Sequence, residues 1–415
     1  MEIVALGVLF AVPPLIVIFV LILRHGRGNL RNDLASEAVD RGYLHQQDRR
    51  RKPSTQSHHY SEYFYHSHQR GCHILSLTPR RKNADRQLIK LYPDDLPILV
   101  HPVQEKPMLG KIDTHHHIVP PAYAAWLEQR GITAGGLAIP KWSVEGALDV
   151  MAAEDTATGI FSVSTPGVHL GDDVEAREKA REVNEFTADV VAKHPGRFGF
   201  FATLTLPDVD GAIAEAKYAF DALKADGVVL ISSVRGTYLG DESWAPLFEE
   251  LDRRHAVVFI HPGDLPCAPV PGIPPYAADF LLDTTRAAIN IAKAGWLERF
   301  SNVKFILSHA GGFIPYAAQR IAHVVAADNT NEAGIARLRR FYFDTALSSS
   351  PFALPALLAF ADPSHITFGS DWPYANKDRS VDFTKLLESY PLTETQRHAI
   401  YRGNAEKLFP RLAAA

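Results

Sequence analysis

The sequence predicts an α/β chain built as a (β/α)8 barrel of the TIM type, behind an N-terminal extension that combines a candidate transmembrane segment with a disordered linker. Three observations carry that prediction. From Met108 onward, short runs rich in Val, Ile and Phe alternate with stretches of helical spacing over roughly 300 residues. Four of the runs end on groups that bind metals: Lys111-Ile112-Asp113-Thr114-His115-His116-His117, Val257–His261, Val303–His309 and Ile366–Asp371. A barrel opens the carboxyl ends of all its strands onto one face, so groups from the first, fifth, sixth and eighth strands can meet there. A doubly wound open sheet would not bring these four together around one ion.

The candidate strands, in order, are Lys111–His115, Ile160–Ser164, Phe198–Leu204, Val228–Ile231, Val257–His261, Val303–His309, Phe341–Asp344 and Ile366–Gly369. Each is short and apolar, as a buried parallel strand should be. Between them, Val174–Lys193 carries Ala, Val and Phe at helical intervals and ends at His194-Pro195-Gly196. Gly211–Lys224 is Ala-rich and amphipathic and stops at Asp226-Gly227, and Trp244–Arg254 supplies another helix. After His261 comes a segment with six prolines, Pro262 to Tyr276. Proline at that density forbids regular structure, and a stiff loop walling the substrate pocket is expected.

The chain has 415 residues, with 43 Lys+Arg against 47 Asp+Glu, and this near balance argues against a nucleic-acid surface. Two cysteines, Cys72 and Cys267, exclude a disulfide framework and a thiolate-rich metal site and fit a reducing compartment. Residues 1–24 form a candidate membrane anchor: Ile3 to Leu23 is uncharged and long enough to span a bilayer, although Pro13 and Pro14 interrupt it. Arg24, Arg27 and Arg31 follow, and positive residues stay on the cytoplasmic side, which would leave the catalytic body cytosolic. Residues 25–107 are polar, with Arg49-Arg50-Arg51-Lys52, Arg80-Arg81-Lys82 and a His/Tyr patch from His58 to His68, and read as a disordered tether. The barrel domain is residues 108–415. Met108 stands where a compact enzyme would begin, and whether the extension is always made stays open.

A lone histidine at a strand end is more often a satisfied polar group than a ligand. Here five candidates fall in order along one barrel pattern: His115, His117, His261, His309 and Asp371. Alternate strand positions face one side, so His115 and His117 can grip one ion together while His116 faces away. Imidazoles with a carboxylate suit one divalent ion, Zn²⁺ above others. Trp372 and Tyr374, beside Asp371, offer either an aromatic wall for a planar substrate or plain core packing.

Asp113-x-His115-x-His117, His261-Pro262, Ser308-His309-Ala310-Gly311-Gly312 and Gly369-Ser370-Asp371-Trp372-Pro373 resemble the amidohydrolase superfamily. The nearest branch is the aminocarboxymuconate-semialdehyde decarboxylase family, which also holds decarboxylases of ortho-hydroxylated aromatic acids. The resemblance runs from Met108 to Leu412 and covers none of the extension. It implies a metal-dependent carboxy-lyase whose ion is held by His115, His117, His261 and Asp371, with His309 outside that set as a proton relay and Asp371 able to shuttle a proton as well. It also implies that Arg320, spaced as in the branch after the sixth-strand histidine, is donated across a homodimer to grip a substrate carboxylate, a task a guanidinium performs through two parallel hydrogen bonds. Ile112–Pro121 and the Trp372-Pro373-Tyr374 corner look most like fungal members that act on 6-methylsalicylate, which would release m-cresol and CO₂. Related members can carry Glu where His115 stands, so details of resorcylate-type sites do not transfer directly. Hydrolysis of an amide, ester or lactone is the alternative on the same barrel.

Overall fold

A computed structural model describes residues 110–413 except 327 and 329. The anchor expected at 1–24 and the linker at 25–107 therefore lie outside the described residues. Among the described residues, no helix is long and apolar enough to cross a membrane.

Eight parallel strands follow one another around a single sheet: β1 (Lys111–His117), β2 (Thr156–Ser162), β3 (Phe198–Thr203), β4 (Gly227–Ile231), β5 (Val257–His261), β6 (Lys304–Leu307), β7 (Tyr342–Asp344) and β8 (Ile366–Thr367). The last strand returns to the first through a parallel bridge between Asp113 and Phe368, so the barrel is nearly closed. A helix follows each strand: α1 (Val144–Ala153), α2 (Asp173–Lys193), α3 (Val209–Tyr218), α4 (Ala245–Arg253), α5 (Asp279–Lys293), α6 (Ile314–Val325), α7 (Leu354–Phe360) and α8 (Lys377–Ser389). Side-chain oxygens of Ser143, Asp172, Asp208 and Asn376 accept from backbone N–H groups in the first turns of α1, α2, α3 and α8. These caps fix where the helices start. The expected helix Gly211–Lys224 instead leaves the α form at Tyr218 and finishes as a π turn, Ala219–Leu223, closed by left-handed Lys224.

Strand alternation fills both sides of the wall. Ile112, Ile160, Phe201, Val229, Val257, Phe259 and Ile306 form the interior of the barrel, closed by Phe409 and Leu412 from the C-terminal turns. Val228, Val258, Ile260 and Phe305 belong to the larger core shared with the helices.

One departure from alternation matters for the site. Between Asp113 and His116, β1 advances three residues while β2 advances two, from Gly159 to Phe161. Such a bulge reverses which residues face inward. Ile112 and, three residues on, His115, with His117 two further, thus share the interior, and His116 turns to the outer layer against Phe161 and Trp372.

Candidate active site

All five residues singled out at the strand ends converge at one end of the barrel interior. His115 Nε2 stands 3.0 Å from His117 Nε2, and both stand 3.2 Å from Asp371 Oδ1. One donor atom from each of His115, His261, His309 and Asp371 lies within 4.8 Å of the others, and all four residues are buried. This buried group of three histidines and an aspartate can hold one metal ion, with His117 against the same aspartate.

Hydrogen bonding fixes the tautomers. Carbonyl and carboxylate oxygens can only accept, so each Nδ1 facing one must carry the proton. His115 Nδ1 donates to Asp344 Oδ2 at 2.7 Å, His117 Nδ1 to the Ser162 carbonyl at 3.1 Å, and His261 Nδ1 to the Pro262 carbonyl at 2.9 Å. In the neutral ring each Nε2 is then a lone pair turned to the interior, the arrangement by which protein surroundings prepare imidazoles for a metal. Two such lone pairs 3.0 Å apart repel one another unless a positive charge stands between them. The residues present fit a divalent cation.

The electrostatics agree. Burial opposes charge on His115, yet the carboxylates of Asp344 and Asp371 outweigh it and push this imidazole up to about 10. Burial, with positive neighbours, drives His261 well below the usual histidine range, and burial also lowers His117 against the pull of Asp371. Asp371 is held well below the usual carboxylate range, against its burial, by His115, His117 and His309. The centre is built to keep positive charge in a dry place.

Two of the five residues differ in backbone. His309 and Ala310 have φ of 53° and 56°, and Asp371 has φ of 63°. Non-glycine residues avoid this left-handed region, and where they occupy it the surroundings must hold them. Asp344 supplies part of that hold: its Oδ1 accepts from the backbone N–H groups of His309 at 2.8 Å and Ala346 at 3.0 Å. The Asp371 N–H is bonded to the His115 carbonyl at 2.8 Å. His309 Nε2 reaches Asp371 Oδ2 at 3.4 Å, while His309 Nδ1 is buried with no hydrogen-bond partner among the described residues.

The centre opens into a cavity of about 710 Å³. His261, His309 and Asp371 line it together with Ser164 and Tyr374, and much of the remaining wall is apolar, including Phe280, Phe313 and Leu347.

A family model for amidohydrolases matches residues 112–411, nearly the whole described chain. The chain belongs to the amidohydrolase family. Among curated relatives of this amidohydrolase, a 6-methylsalicylic acid decarboxylase of Penicillium expansum is 39% identical over 319 residues, covering 73% of this chain and 97% of that one. The decarboxylase macB of Penicillium terrestre is 36% identical over 323 residues, covering 73% and 96%. A solved amidohydrolase II structure, 30% identical, superposes with a TM-score of 0.69 over 72% of this chain and 99% of its own. The expected resemblance to fungal aromatic-acid decarboxylases of the amidohydrolase family is borne out.

The other expected site residues fall in different places on this amidohydrolase. Tyr374 lines the cavity with its ring edge-on to His117, centroids 5.2 Å apart, and its hydroxyl is buried without a hydrogen-bond partner among the described residues. Burial, reinforced by the charge of Asp371, pushes that phenol up. Trp372 is not among the lining residues. Its indole packs on His116 at 5.1 Å in the space left by Gly146, where an added Cβ would stand 3.3 Å from the indole. Of its two expected uses, the structure places it in core packing. Arg320 is exposed on α6 and does not line its own chain's cavity. The proline-rich loop contributes only its end, Tyr276, to the lining.

Three participants were missed. Asp344 ends the expected seventh strand, so its position on the reactive face was a usable signal. Ser164, which lines the cavity, ends the expected second strand and carried the same signal, whereas Arg379, in the same lining, had no pattern to mark it.

Proposed function

We propose that this amidohydrolase is a metal-dependent, non-oxidative decarboxylase of an ortho-hydroxylated aromatic acid, with 6-methylsalicylate converted to m-cresol and CO₂. The observation that carries the reading is a buried cluster of imidazoles and a carboxylate on the floor of an apolar cavity, in a chain 36–39% identical to fungal decarboxylases across the barrel.

In this reading His115, His117, His261 and Asp371 hold one divalent ion, Zn²⁺, for which imidazole with carboxylate is a suitable donor set. The bound ion supplies Lewis acidity toward the substrate's carboxylate and hydroxyl oxygens. Losing CO₂ leaves an electron pair on the ring carbon, and that carbon must receive a proton. His309, at the cavity floor and outside the ligand set, delivers it from its imidazolium form and recovers it from solvent. Asp371 Oδ2, 3.4 Å from His309 Nε2, orients that imidazole. Tyr374 and Ser164 offer hydroxyls to the substrate's oxygens, and the apolar wall accepts the ring and excludes water.

Arg320 completes the site from a partner copy. It is exposed and does not line its own chain's cavity, as a residue donated across a two-fold pair would be, since each chain then gives one arginine and receives one. Mixing Arg320→Ala with His309→Ala chains, each nearly inactive alone, should restore partial activity in mixed dimers. Residues 1–24 act as a membrane anchor and 25–107 as a tether in the same reading, so a chain beginning at Met108 should stay soluble and active.

The deciding experiment is incubation of purified protein with a panel of salicylate-type acids, beside amide, ester and lactone substrates, following CO₂ and phenol release. Turnover of the hydrolase substrates alone would replace this reading with hydrolysis.

A further inference from the structure

Most arginines of the described barrel are spoken for. Arg177 grips Asp208, Arg181 grips Glu215, Arg254 grips Asp221, and Arg339 donates to the Phe360 carbonyl. Arg235, Arg320 and Arg379 are the arginines with neither an ion pair nor a hydrogen-bond acceptor among the described residues. Of these three, Arg379 alone lines the cavity of its own chain. Apart from the histidines of the metal end, it is also the only cationic side chain in that lining among the described residues.

Its place is fixed by the same turn that carries Asp371. The Ala375 N–H bonds the Asp371 carbonyl at 2.8 Å, and the Asn376 side chain caps the Arg379 N–H at 3.0 Å. One residue on, Ser380 Oγ donates to the Ser370 carbonyl at 3.1 Å. The first turn of α8 is thereby stitched to the turn that supplies Asp371. The guanidinium itself is exposed and rests near the Phe383 ring, 5.9 Å from its centroid.

Helix stability does not explain an arginine here. A cation in the first turn opposes the helix dipole, which favours acidic groups at that end. Lys377, in the same turn, meets Asp149 at 2.5 Å, but Arg379 has no such partner, and Asp378 is not among the lining residues. An unpaired guanidinium in a cavity lining that is apolar in large part is a receptor for an anion.

We propose that Arg379 is a specificity-determining residue that receives the carboxylate of an incoming aromatic acid from within the same chain. The proposal rests on the decarboxylase reading and adds a consequence for selectivity. The acid is anionic and its phenol product is neutral at working pH, so Arg379 favours the substrate and has no hold on the product. Its contribution falls on capture, through attraction that salt screens, and not on the step that breaks the carbon–carbon bond.

The test uses the full-length, metal-loaded protein with Arg379→Ala, Arg379→Glu and Arg379→Lys. For Arg379→Ala, kcat/KM for the aromatic acid should fall about tenfold at low salt with kcat nearly unchanged, further for Glu, and with substantial recovery in Lys. The deficit should shrink as ionic strength rises. In calorimetry, benzoate should bind the Ala variant more weakly than wild type by a similar factor, whereas phenol should bind both alike. Equal loss of benzoate and phenol binding would mean a merely structural role, and unchanged benzoate binding in Arg379→Ala would remove Arg379 from recognition; either result overturns the proposal alone. A wild-type protein that binds benzoate no better than phenol overturns it too, and failure to turn over any aromatic acid falls on the decarboxylase reading.

Discussion

The two halves of the donor cluster are held in different ways. His115, His117 and His261 sit on strands, buried, each with its Nδ1 committed to an acceptor. His309 and Asp371 lie beyond the ends of β6 and β8 in left-handed backbone, and His309 Nδ1 has no hydrogen-bond partner among the described residues. A ligand benefits from an imidazole with one orientation and one tautomer. A proton carrier must change protonation state within each cycle, and a ring nitrogen without a fixed partner permits that. The three strand-borne histidines are therefore suited to holding the ion, with Asp371 closing their set, and His309 is suited to moving protons.

The contrast breaks first at its strongest point. His117→Ala should lose the ion, measured by elemental analysis, and turnover should fall by about a thousandfold or more, because Lewis-acid assistance is worth several kcal/mol. Retention of full metal content would remove His117 from the holding half. Next, His309→Ala should keep close to one metal per chain and still lose turnover by roughly a hundredfold or more. If the metal left with the histidine, the division between the halves would fail, and His309 would join the ligands.

Asp344 joins the halves, since one carboxylate bonds His115 and the His309 backbone. Asp344→Asn keeps an acceptor for the backbone but can present a donor to His115 Nδ1, which invites the wrong tautomer. Metal affinity of the apoprotein, read by competition with a chelator, should drop by about 10–100-fold. An unchanged affinity would mean that Asp344 serves the turn alone.

The smallest effect on turnover is expected below the site. Burial, reinforced by the charge of Asp113, raises the Glu154 carboxyl from an ordinary 4.5 to about 7. Folded chains then bind more protons than unfolded ones between those values, so stability is greatest below the window and declines as pH rises through it. Glu154→Gln should abolish that decline, with a gain of about 2–3 kcal/mol at pH 8 in denaturant unfolding. A wild-type midpoint that stays level across the window would contradict the raised value.

The strand-borne half was largely legible in the sequence. Val257–His261 appears as expected, and His115 and His117 share a side as their spacing requires. The reason they face inward with Ile112 was hidden, because a bulge is a pairing property and β1 alone does not show it. The turn-borne half was legible in composition but not in shape. Val303–His309 was expected as strand, yet the ladder ends at Leu307, since nothing in Ser308-His309-Ala310 announces positive φ on residues other than glycine. Trp372 could be read as wall or as core, and in the fold it packs on His116 beside Gly146, more than two hundred residues away in the chain. Asp344 looked like any acid closing a strand.

The donors also come from opposite ends of the barrel's chain order, His115 and His117 from the first strand and Asp371 from just after the last. The ladder joining those strands is thin: the Asp113–Phe368 bridge, with backbone bonds from Thr114 N–H to Phe368, His117 N–H to Trp372 and Asp371 N–H to His115. An ion gripped by both strands would act as a rivet across this seam. During synthesis the emerging chain would lack a complete binding centre until its final strand had left the ribosome, so loading would be a late event that locks a finished barrel. Chains truncated before Asp371 would have the cluster's histidines and no carboxylate to close them.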